Sequence, residues 1–111
     1  MARYTTISRG EGGKPNGHVP GHTYHDVVVC LRSRPTGDGM RYQVLAHEVW
    51  GSTQGRDEEH GRTTVAATNM PTIASALREL TERARVAGFP AAYLSTAVSE
   101  VEMAAEQTED A

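Results

Sequence analysis

Residues 69–90 read NMPTIASALRELTERARVAGFP, and this stretch decides the fold. Ile73, Ala76, Leu77, Leu80, Ala84 and Ala87 recur at three- and four-residue spacing, which gathers them on one face of a helix. Ser75, Arg78, Glu79, Glu82 and Arg85 fall on the other side. Asn69 or Thr72 supplies an N-cap, and Pro71 suits a first turn, where its missing N–H costs nothing. Glu79 and Arg83 stand at the four-residue spacing of a favourable pair. Gly88 sits where a helix can end in a left-handed residue, and Pro90 prevents continuation. Such a helix needs an apolar surface to cover, and the rest of the chain must supply it.

The strands before it do so. Residues 23–34, TYHDVVVCLRSR, put Val27, Val29 and Leu31 on one face and Val28 and Cys30 on the other, as a strand with apolar character on both sides. The run Pro35-Thr36-Gly37-Asp38-Gly39 is a turn by its chemistry. Residues 40–50, MRYQVLAHEVW, then alternate, with Met40, Tyr42, Val44, Ala46 and Trp50 on one face. Two such runs around a glycine turn predict an antiparallel hairpin. Residues 51–61 are polar and glycine-rich and read as a loop, and residues 62–68 read as a third strand with Thr63, Val65 and Ala67 on one face.

The two ends are read differently. Residues 1–22 hold Gly10, Gly12, Gly13, Gly17 and Gly21 with Pro15 and Pro20, a density that predicts a flexible arm, with at most a short edge strand at Tyr4–Ile7. After Pro90, Tyr93 to Val98 read as a strand returning to the sheet. Ser99-Glu100-Val101-Glu102 matches a capping box that opens a short acidic helix. The alternative is a single helix with Leu94, Ala97, Val98, Val101 and Ala105 on one face.

The chain has 111 residues, enough for one domain with its own core. The lone Cys30 excludes an intramolecular disulfide and reads as a small buried hydrophobe. No secretory leader and no membrane span are visible, so a cytoplasmic protein is expected. The arginine- and alanine-rich composition fits a high-GC bacterium or its phage. Charge is uneven. Residues 1–41 carry six bases against three acids, and residues 42–111 carry five against eleven. The net charge of −3 speaks against general nucleic-acid binding.

No motif names a reaction. His18, His22 and His25 with Asp26 are good metal donors, but Pro20 and Gly21 prevent the helix that would align the first two. Exposed loop histidines are the favoured reading. His60 beside Asp57, Glu58 and Glu59 lacks the spacing of a cation loop. His47 and Glu48 are neighbours in a strand and point to opposite faces. Neither a phosphate loop nor a nucleophile motif is present. No cofactor and no catalytic residue is assigned.

The strand Thr64–Thr68 leading into Thr72–Leu77, after two earlier strands, is similar in order to HicB-type antitoxins. The resemblance implies only their partial double-stranded-RNA-binding architecture and carries no functional residue.

The sequence thus predicts an α+β domain, an antiparallel sheet of three to four strands with one main amphipathic helix packed on one face. Residues 1–22 are the arm, 23–98 the domain and 99–111 an acidic tail. One helix leaves apolar sheet uncovered, which points to a non-enzymatic protein-binding or regulatory module, homodimeric through that surface. Arg32, Arg34 and Arg41 at the hairpin, with Arg56, Asp57, Glu58 and His60 in the loop, are the candidate partner-binding residues. A nucleic-acid regulator using the basic hairpin is the second reading, and a metal or enzymatic site on the histidines the third.

Overall fold

The computed structural model describes residues 3–14, 23–52 and 60–109. The elements follow the order β1 (Thr5–Lys14), β2 (Thr23–Thr36), β3 (Gly39–Ser52), β4 (His60–Met70), α1 (Ile73–Val86) and α2 (Ala91–Glu109). The four strands form an antiparallel meander in the order β1-β2-β3-β4. Both helices cover the same face. The α+β class holds, with two helices rather than one. The described elements add a strand before, and a helix after, the strand, strand, strand, helix order read from the sequence.

The hairpin turns at Gly37-Asp38, with Thr36 opposite Gly39. Thr36 Oγ1 donates to the Gly39 carbonyl (2.6 Å) and accepts from Asp38 N–H (3.3 Å), which ties the turn across itself. Register then fixes the faces. Val27, Val29 and Leu31 lie opposite Glu48, Ala46 and Val44, and Val44 lies opposite Ala67. Val27, Val29, Leu31, Val44, Ala46 and Ala67 are buried under the helices with Leu77, Leu80, Ala84, Leu94, Ala97 and Val101. Met40 and Trp50 share this face by alternation but extend past the helices, and each remains 43% exposed.

α1 starts at Thr72 as expected. The Thr72 hydroxyl accepts from Ser75 N–H (3.0 Å), and the Ser75 hydroxyl accepts from Thr72 N–H (3.2 Å). Pro71 precedes the cap instead of opening the first turn. At the far end Gly88 takes φ 89°, and its N–H and that of Phe89 bond back to the carbonyls of Arg85 and Ala84. That closure turns the chain into α2 within a few residues.

Two expectations are corrected. Tyr93 to Val98 is no strand, and residues 99–109 are no separate helix or tail: Ala91–Glu109 is one helix that buries Leu94, Ala97, Val101 and Ala105. The arm expected over residues 1–22 contains a ten-residue strand, β1. Its glycines have a packing role. α2 lies directly on β1, where a Cβ built on Gly10 would fall on the Ala97 carbonyl oxygen and one on Gly12 on the Tyr93 carbonyl oxygen. Ser8, buried beside them, donates to the Val101 carbonyl (3.1 Å).

Alanine in place of a strand glycine ordinarily gains stability, roughly 0.5–1 kcal/mol. Here Gly10→Ala and Gly12→Ala are each expected to lose roughly 1–3 kcal/mol in urea unfolding, because helix backbone and not a flexible side chain blocks the new atom. Gly37→Ala, where a Cβ meets nothing within 4 Å, should stay near neutral. Similar effects at all three positions would contradict the close approach of α2 to β1.

Candidate functional site

The helices leave one face of the sheet open. Alternation and register place its side chains in rows across the strands. Arg34 lies beside Arg41. The next row is Thr6, Arg32 and Gln43, with Thr68 bonded to Gln43 across β4. Then come Arg9, Cys30, Leu45 and Ala66, followed by Glu11, Val28, His47 and Thr64. Asp26, Val49 and Arg62 form the last row. The face therefore has an apolar centre of Val28, Cys30, Leu45 and Val49, all half-buried, set among five arginines and two carboxyls. Cys30 is accordingly not a core residue; Thr6 Oγ1 lies 3.7 Å from its sulfur.

The arginines of this face differ from those of the helices. On α1, Arg83 pairs with Glu79 (2.9 Å) and Arg85 with Glu82 (2.6 Å). Among the described residues none of Arg9, Arg32, Arg34, Arg41 and Arg62 has a carboxylate within ion-pair distance. Arg34 instead lies over the Tyr4 ring, 4.9 Å from its centroid. Tyr4 Oη accepts in turn from Asn69 N–H (3.1 Å), so this ring ties the start of β1 to the end of β4 although two strands lie between them. The Nε atoms of Arg32 and Arg34 are buried with no hydrogen-bond partner among the described residues.

The field of these cations is felt locally. Burial, and then the guanidiniums of Arg62, Arg32 and Arg9, hold the His47 imidazole below its ordinary range. His47 Nδ1 is 2.8 Å from Thr64 Oγ1 and 3.4 Å from Arg62 Nη2. An arginine only donates, so Nδ1 serves as the acceptor there.

The two carboxyls face each other at one end. Asp26 Oδ1 is buried without a donor among the described residues. Burial, then the hydrogen bond and charge of Glu11, raise the Asp26 carboxyl from 3.8 to about 6.

The candidate residues from the sequence separate. Arg32, Arg34 and Arg41 come together on the open face, and Arg9 and Arg62 join them. Arg9 lies in the stretch expected to be a flexible arm, and Arg62 only becomes a neighbour through the β3–β4 register. Arg56, Asp57, Glu58, the His60 side chain, His18 and His22 lie outside the described residues. His25 is on the helix-covered face, where its Nε2 lies 2.7 Å from Glu48 Oε2 and its ring meets Tyr93 edge-on at 5.4 Å. Glu48 is thus the partner of His25, not of His47, a diagonal cross-strand pair two residues off direct opposition that no local spacing shows. Among the described residues no three His, Cys, Asp or Glu side chains are grouped to hold a metal, and no helix is long and apolar enough to cross a membrane.

A carboxyl raised on folding favours the protonated native state. Its contribution is fully present below its unfolded value near 3.8 and is lost as pH rises through about 6. Asp26→Asn is therefore expected to stabilise the protein at pH 8 by on the order of 1 kcal/mol after solvent screening, read as a higher melting temperature, and to leave stability unchanged near pH 4. An equal gain at both pH values would remove the raised Asp26 carboxyl as its cause. Compared with protein-family models, curated proteins and solved structures, the chain matches none, so the arrangement of its own side chains carries the functional reading.

Proposed function

We propose that this chain is a non-enzymatic binding module that docks an anionic partner on the open face of its sheet. The observation that carries the reading is the contrast between paired and unpaired arginines. Arg83 and Arg85 spend their charge on α1's own glutamates, whereas the five guanidiniums of the open face have no such partner among the described residues. Arginine's planar fork binds carboxylate or phosphate through two parallel bonds, so an array of forks with no carboxylate partner among the described residues is matched to an anionic surface. The opposite side of the molecule has the reverse sign, with Glu79, Glu82, Glu100, Glu102 and Glu106 against Arg78, Arg83 and Arg85 on the helices.

The same arrangement argues for a monomer on this face. A two-fold interface brings identical patches together, and here it would set five arginines against five. The sheet edges offer no easy alternative. Glu11 N–H on β1 donates to Glu100 Oε2 (2.7 Å), and Arg83 Nη1 on α1 donates to the Ala66 carbonyl of β4 (2.6 Å). Both outer strands thus have backbone groups occupied by helix side chains, which blunts edge-to-edge pairing.

Heparin serves as a generic polyanion to test the reading. The wild-type chain should be retained at low salt, and Arg32→Gln with Arg34→Gln should elute at clearly lower salt. Arg78→Gln, the same charge change on the opposite side, should elute with wild type. Light scattering at micromolar concentration should give a monomer. Equal loss from Arg78→Gln, or a dimer that survives charge reversal at Arg32, would overturn the proposal.

A further inference from the structure

The geometry points to a single-stranded nucleic acid as the anionic partner, with its phosphodiester backbone following a diagonal of four arginines across the open face. This inference rests on the open face being the docking surface. Arg41 on β3, Arg34 and Arg32 on β2 and Arg9 on β1 form that diagonal. Arg41 and Arg34 are directly opposed, Arg34 and Arg32 are two residues apart on one strand, and Arg9 lies one row beyond Arg32 on the next strand. Strand spacing and rise make the steps about 5, 7 and 8 Å. A flexible backbone with one charge at every nucleotide can follow steps of that range along the line of cations.

The surroundings of the diagonal favour a single strand over a duplex. On one side lies the apolar patch of Val28, Cys30, Leu45 and Val49, half-buried with no element packed over it. A single strand turns its bases out and can lay them on such a surface, whereas a duplex keeps its bases stacked inside and presents only phosphate and grooves. Gln43, Thr68 and Thr64 lie just beyond the patch, within the same face, and offer donors and acceptors to base edges. Aromatic stacking is absent from the patch itself, so recognition is of the backbone, with little dependence on sequence. The acidic pair Glu11 and Asp26 sits past Arg9 on the far side of Val28, which ends the favourable run at four cations.

Fluorescence anisotropy with a labelled mixed-sequence oligonucleotide, as single strand and as duplex, tests the assignment, with labelled polyglutamate as the comparison anion. Four phosphate contacts on a single strand predict a slope of log Kobs against log salt of about −2.8, or about a 50-fold loss of affinity between about 50 and 200 mM salt. Arg9→Gln and Arg41→Gln should each reduce that slope by about 0.7. Arg78→Gln, on α1 and outside the open face, should leave the slope unchanged. Unfolding curves for each variant separate loss of contact from loss of fold. Polyglutamate binding without oligonucleotide binding would overturn this inference and leave the anionic docking face standing. Absence of both would remove both. Tighter binding of the duplex, or an equal change of slope from Arg78→Gln, would overturn the single-strand path.

Discussion

The architecture depends on one close approach, the seating of α2 on the bare backbone of β1. Helix and strand normally keep a side-chain layer between them. At Gly10 and Gly12 there is none, and the carbonyls of Ala97 and Tyr93 occupy the space where Cβ atoms would stand. The approach brings Ser8 to the Val101 carbonyl and Glu100 to the Glu11 N–H. It also divides the sheet between the helices, with α2 over β1 and β2 and α1 over β3 and β4. Two helices side by side then cover one face completely enough to bury Val27, Val29, Leu31, Val44 and Ala46. Among the described residues, no element covers the other face.

That seat explains which parts of the fold were legible. α1 could be read because its cap, its apolar face and its glycine stop agree with one another, and a segment whose local signals concur has few competing structures. β2, β3 and their turn could be read for the same reason. β1 could not. A glycine required for close approach is identical in sequence to one required for a turn, and only the helix lying on it tells them apart. α2 was ambiguous because Tyr93 to Val98 satisfies both periods. The tie is broken by Leu94, Ala97, Val101 and Ala105, whose burial depends on a strand that had itself been read as an arm.

The candidate site was legible only in part for a related reason. The three arginines flanking the hairpin turn are close in sequence, and their clustering follows from the turn alone. Arg9 and Arg62 reach the same face through the β1–β2 and β3–β4 registers. The uneven charge along the chain turns out to be a spatial division. The acid-rich end of the sequence is α2, and it lies on the opposite side of the sheet from the open-face arginines. An overall charge of −3 therefore conceals two surfaces of opposite sign, and an average over the chain says little about either one.

The bond from Ser8 to Val101 joins residues 93 apart in a chain of 111. The hairpin and α1 can form from neighbours as they leave the ribosome, but β1 cannot gain its cover until α2 has been made. Until then its glycine backbone lacks the helix that lies on it in the fold. The first strand thus waits for a segment 93 residues further along before it has its native surroundings.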